Sequence, residues 1–100
     1  MFIVIWEFYA KRGREAEFEQ AYGPSGLWAQ FFRRSADYKG THLLGDTTGR
    51  YLTLDHWTSR EAYDAFRKEN AGEYKTIDRE CEALTEQETQ IGRASCRERV

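Results

Sequence analysis

A change of hydrophobic period at Thr58-Ser59 constrains this chain more than any other feature. Residues 50–57, Arg50-Tyr51-Leu52-Thr53-Leu54-Asp55-His56-Trp57, alternate with period two and are rich in aromatic and apolar groups, the pattern of a half-buried strand. From Ser59 the apolar positions Ala62, Tyr63 and Phe66 fall at the three- and four-residue spacing of a helix. Ser59 is a suitable N-cap, because its hydroxyl can accept a hydrogen bond from a first-turn amide, and Glu61 suits the positive end of the helix dipole. A strand therefore passes directly into a helix, with Trp57 at the joint.

The rest of the chain arranges itself around that unit. Residues 2–9 form an apolar and aromatic run interrupted only by Glu7, and read as a central strand. Lys11-Arg12-Gly13 turns the chain, and residues 15–22 carry Phe18, Ala21 and Tyr22 at helical spacing. Gly23-Pro24-Ser25-Gly26 interrupts the helix, since proline disfavours helical geometry in the residue before it, and Leu27, Trp28, Phe31 and Phe32 resume the stripe. Gly40 is expected to end the helical region as a left-handed cap. A strand over 41–45, a hairpin turn over 46–49 and the returning strand 50–57 follow. A four-residue turn sets Leu44 opposite Tyr51 and His42 opposite Thr53, so His42, Thr53, Asp55 and Trp57 are expected on one face. Leu43, Leu52, Leu54 and His56 take the other. A helix over 59–68, a break at Asn70-Ala71-Gly72, a second amphipathic segment carrying Tyr74, Ile77, Cys81 and Leu84, and a last strand over 85–90 complete the order β-α-β-β-α-β. That order predicts an α+β, ferredoxin-like βαββαβ sandwich, an antiparallel four-stranded sheet with helices on one face. Leu52 and Leu54 are too apolar for a water-facing sheet surface, so a second copy of the chain is the expected cover.

Residues 91–100 differ from everything before them, with three arginines and no apolar face. They resemble the translation of a sequencing-adapter oligonucleotide and are expected to be a non-native read-through tail, leaving 1–90 as the domain. Removing their three Arg and one Glu from 15 basic and 17 acidic groups leaves 12 and 16, a net of −4 against −2 for the whole chain. That balance offers no basic stripe for a phosphate backbone, so no nucleic-acid partner is expected. No apolar run approaches the roughly twenty residues that span a bilayer, and the N-terminus has no basic n-region, so no membrane partner and a cytoplasmic location are expected. Cys81 is the one cysteine before the tail, which leaves no intrachain disulfide and no cysteine metal site.

Trp6-Glu7-Phe8, Phe18, Tyr22-Gly23-Pro24 with Gly26, Trp28 and Phe32, Tyr38-Lys39-Gly40-Thr41 with Leu43-Leu44, and Arg50-Tyr51 with Asp55, Trp57, Ser59 and Phe66 together resemble the antibiotic biosynthesis monooxygenase (ABM) family. The resemblance covers nearly all of residues 1–90. It implies a homodimeric α/β barrel with a small-molecule cavity in each protomer between sheet and helices. Relatives include oxygenases that convert phenolic polycycles to quinones without metal or flavin, and enzymes that degrade haem. The haem branch uses a first-strand Asn, a Trp at the end of the third strand and a helical His on the iron. Trp57 matches, but Glu7 stands at the first-strand position and residues 59–84 contain no His, so haem degradation is disfavoured.

The cofactor-free reading needs a base and apolar walls, because an electron-rich phenolate can itself pass an electron to oxygen. His42 and Asp55 are the candidate catalytic pair, Trp57, Trp28 and Phe32 the candidate walls, and Glu7 and Tyr22 further substrate contacts, with no metal and no cofactor. The expected ligand is a small aromatic or hydrophobic molecule. The competing expectation is a non-catalytic dimeric module that binds a small hydrophobic ligand or is merely a stable dimer, with these aromatics spent on the core. A cavity holding a titratable group favours the enzyme, and a cavity filled by Trp28, Phe32 and Trp57 favours the module.

Overall fold

The computed structural model of the chain describes residues 1–95, and for 91–95 the backbone alone. Its elements are β1 (Phe2–Ala10), α1 (Glu15–Tyr22), α2 (Leu27–Phe32), β2 (Tyr38–Gly45), β3 (Arg50–Trp57), α3 (Arg60–Glu69), α4 (Ala71–Cys81), a short 3₁₀ turn (Glu82–Leu84) and β4 (Thr85–Ser95). The strands form one antiparallel sheet in the order β2-β3-β1-β4. This is the ferredoxin-like α+β sandwich that the sequence order predicts. The strand-to-helix joint forms as its residues dictate, with the Ser59 hydroxyl accepting from the Ala62 amide at 3.1 Å.

Period two on β1 and β3 decides which face meets the helices. Phe2, Val4 and Phe8 lie opposite Trp57, Asp55 and Tyr51, and all are buried. Helix residues Phe18, Tyr22, Phe31, Phe32, Tyr63 and Phe66 close over them. Trp57 is fully enclosed, with the rings of Phe32, Tyr38, Tyr63 and Phe66 centred 5.4–5.5 Å away. Ring pairs at such separations each add about 0.5–1.5 kcal/mol beyond simple area burial, so Trp57 binds sheet to helices at the centre of the core. The other sheet face carries Ile3, Ile5, Leu52 and Leu54, all half-buried, and Leu44, which is 54% exposed.

The β2–β3 register differs by one residue from the expected one. Gly45 faces Tyr51, Leu43 faces Thr53, His42 faces Leu54 and Thr41 faces Asp55. The turn is shorter than four residues: the Asp46 amide donates to the Arg50 carbonyl at 3.1 Å, leaving 47–49 as the loop, with Gly49 at φ +88°. A three-residue loop closed by a left-handed glycine is a standard hairpin geometry. Because side chains alternate faces, this one-residue slip turns His42 away from Asp55 and brings Leu43 and Thr41 to the helix side.

Gly40 does not cap a helix. It lies inside β2 at φ +119°, where the register jumps from Tyr38 opposite Trp57 to Gly40 opposite His56. Lys39 is the extra residue of a β-bulge, and the strand begins at Tyr38, three residues earlier than expected. β4 also runs further than expected, pairing with β1 to Ser95 instead of ending at Gln90. Ladder pairing uses backbone groups alone, so it does not require an apolar pattern. Of the expected tail, 91–95 thus continue β4, and 96–100 lie outside the described residues. Among the described residues, no helix is long and apolar enough to cross a membrane.

Candidate functional site

The bulge at Gly40 builds the polar end of a cavity. Without it Tyr38 and Thr41 would fall on opposite faces; with one extra residue between them both point to the helix side. Tyr38 and Thr41 share a short hydroxyl–hydroxyl hydrogen bond, and the Thr41 hydroxyl donates to Asp55 Oδ1 at 2.7 Å. With the Thr41 proton directed at the carboxylate, Tyr38 donates to Thr41, giving the relay Tyr38 to Thr41 to Asp55. Asp55 is 8% exposed, and desolvation, only partly offset by the Thr41 hydrogen bond, pushes its pKa up to about 6.

Asp55 opens into a cavity between the sheet and helices α1, α2 and α4. Trp6, Phe8 and Thr53 form its sheet wall, Tyr22, Trp28 and Phe32 its helix wall, and Tyr74, Asp78 and Glu88 lie toward its rim. Burial raises the Tyr22 and Tyr74 hydroxyls well above the usual phenol range, so both are neutral donors at physiological pH. Glu88 is also raised, first by desolvation and then by the negative charges of Asp78 and Glu82. The free volume is about 30 Å³, room for water and not for a polycycle in this side-chain arrangement. The buried indole nitrogens of Trp28 and Trp57 find no hydrogen-bond partner among the described residues. The Trp28 N–H lies near enough to the Tyr22 hydroxyl and the Cys81 thiol to favour their anions, yet completes a well-formed hydrogen bond with neither.

The expected site residues divide between the two sheet faces. Asp55, Trp28, Phe32 and Tyr22 line one cavity. Trp57 stands behind it, edge-on to Phe32 at 5.5 Å, and does not line it. His42 is the clearest correction: it is exposed on the opposite face, with Nδ1 3.0 Å from His56 Nε2. Glu7 is the second. Odd-numbered β1 residues point away from the helices, and Glu7 accepts from Arg50 Nε at 2.5 Å there. Trp6, Tyr74, Asp78, Glu88 and the Tyr38–Thr41 relay are the residues sequence reasoning missed, while Thr53 lies on the Asp55 face as expected. Trp6 was available from period two, because it shares its face with Val4 and Phe8. Tyr74 and Asp78 are four apart on α4, hence neighbours on one helix face. Among the described residues no group of three or more His, Cys, Asp or Glu is placed to hold a metal ion.

A family model described as "Antibiotic biosynthesis monooxygenase" matches residues 1–77. Comparison with curated proteins found no match. Among solved structures, the chain is similar to a mutant form of SnoaB, a cofactor-independent oxygenase from Streptomyces nogalater. The TM-score there is 0.78 at 20% identity, over 99% of this chain and 95% of that one. A Deinococcus radiodurans protein carrying the same family name superposes with TM-score 0.76 at 16% identity, over 100% and 96% of the two chains. An uncharacterized NIPSNAP domain protein from Burkholderia xenovorans gives 0.67 at 13%, over 97% and 95%. At these identities the likeness is one of fold.

Proposed function

The chain belongs to the antibiotic biosynthesis monooxygenase family, and from that premise we propose that it is a cofactor-independent monooxygenase oxidising a hydroxylated aromatic held against Asp55. The observation that carries this reading is a buried carboxyl with a pKa of about 6 at the polar end of an aromatic cavity. Asp55 takes the phenolic proton. A phenol titrates near 10, so transfer to an ordinary carboxylate is uphill by about 8 kcal/mol, and to one at about 6 by roughly 5. Burial therefore makes Asp55 the better base, and the Thr41 hydroxyl favours its ionised form. The phenolate then passes an electron to oxygen, and recombination forms a carbon–oxygen bond on the ring. One oxygen atom stays as the new quinone carbonyl. The other leaves as water with two hydrogens, one from the phenol and one from the ring carbon. Trp6, Trp28 and Phe32 hold the ring system and exclude water from the developing charge.

The free volume of about 30 Å³ favours a second reading, a non-catalytic module whose aromatics are packing. Oxygenation requires Trp28, Phe32 and Tyr74 to part around the substrate. Oxygen uptake with a panel of hydroxylated naphthalenes and anthrones, in the presence of a chelator, separates the two. Substrate-dependent uptake supports the monooxygenase; its absence across the panel supports the module. In either case we propose that two copies pair through the apolar sheet face bearing Ile5, Leu52 and Leu54, as the sequence leads one to expect.

A further inference from the structure

The charge around the cavity bears on what enters it. Asp55, Asp78 and Glu88 all line it, and among the described residues its lining includes no Lys, Arg or His. Glu88, already disfavoured as an anion by desolvation, is disfavoured further by the negative charge of Asp78. A cation placed between them relieves that repulsion, and an anion adds to it. The walls suit a cation as well. Trp6, Trp28 and Tyr74 line it with aromatic rings, and Tyr74 already takes a cation, with Arg67 Cζ 4.2 Å from its ring centroid. Trp28, nine-tenths buried in the same wall, keeps an indole N–H without a well-formed hydrogen bond among the described residues.

We infer that the cavity selects aromatic ligands bearing a protonated amine, held between Asp78 and Glu88, over aromatic carboxylates. This rests on the proposal that the cavity is a substrate site, and it adds the substrate's charge. Asp78 and Glu88 act as specificity-determining groups, apart from Asp55, which faces the reacting oxygen.

Three probes of one ring size test it on the full chain: 1-naphthol, 1-naphthylmethylammonium and 1-naphthoate. Binding is read by quenching of tryptophan fluorescence and by calorimetry at pH 7.5. The ammonium is expected to bind at least tenfold more tightly than the carboxylate, with the difference shrinking as salt rises from low to high concentration. In the double variant Asp78→Asn/Glu88→Gln the preference falls below about threefold, a size set by loss of two charge contacts at partly exposed sites. Both positions lie toward the rim, so the variant is expected to fold, and the salt series on the unaltered chain tests the same point independently. Naphthol binding with equal affinity for the two ionic probes overturns the inference and leaves the proposed function standing. Failure of all three probes to bind overturns the cavity reading, and the inference falls with it.

Discussion

Ionising Asp55 inside an aromatic shell opposes folding. Its carboxyl binds a proton more tightly in the folded chain, at about 6, than at its ordinary value of 3.8, so its contribution to stability is full below 3.8 and is lost as pH rises through 6. Above that range the ionised group costs about 3 kcal/mol, two pKa units' worth. Asp55→Asn removes the charge and is expected to raise the melting temperature at pH 8 by several degrees while lowering kcat/KM by about 10²–10⁴, the usual contribution of a general base. A site that destabilises its own fold in this way is the ordinary trade between stability and activity. The pH profile of kcat/KM in the unaltered chain should rise through about 6 and then level. Thr41→Val removes the hydrogen bond that favours the ionised carboxylate, so its rising limb should move to higher pH. His42→Ala, on the far side of the sheet, should change kcat/KM less than twofold, measured on the same substrate. The residue types at the site were legible in the sequence: Asp55, Trp28, Phe32 and Tyr22 could be picked out by strand and helix period. His42 could not be placed, because its face depends on a turn one residue long or short.

That dependence belongs to the β2–β3 hairpin. Glycines stand at both ends of the turn, Gly45 and Gly49, and composition is compatible with a loop of either three or four residues. Backbone conformation decides it, since only a left-handed Gly49 allows the Asp46-to-Arg50 closure. The bulge at Gly40 was hidden for a similar reason, as a glycine after a helical region reads equally as a cap. By contrast, the strand-to-helix switch at Ser59, the helix break at 23–26 and the apolar run of β1 each rest on patterns spread over many residues, and all three elements appear as read. The bulge makes its own prediction. A Cβ at Gly40 meets no atom within 4 Å, so Gly40→Ala tests backbone strain alone. It should destabilise the fold by about 1–2 kcal/mol in urea unfolding, the cost of a left-handed backbone for an L side chain. Since Tyr38 and Thr41 share a face only through the bulge, the variant should also move the pH profile in the direction of Thr41→Val. A stability loss with an unaltered profile would detach the bulge from the site.

At the scale of the whole molecule, the fold divides its labour between two sheet faces. One is closed by helices and holds the aromatic core and the cavity; the other presents Ile3, Ile5, Leu44, Leu52 and Leu54 in one patch. A small domain leaves much of its apolar surface uncovered when alone, and pairing two such faces is the proposed remedy. Light scattering on the eluting protein should give twice the chain mass, and Leu54→Lys, which sets a charge within the patch, should halve it. Whether Asp55 is the base of an oxygenase is decided by oxygen uptake on the best hydroxylated polycycle at pH 8, with chelator present, comparing the unaltered chain with Asp55→Asn. Steady uptake is expected from the former and at least a hundredfold less from the latter, in a variant that melts no earlier. Equal uptake by the two chains would contradict that role for Asp55.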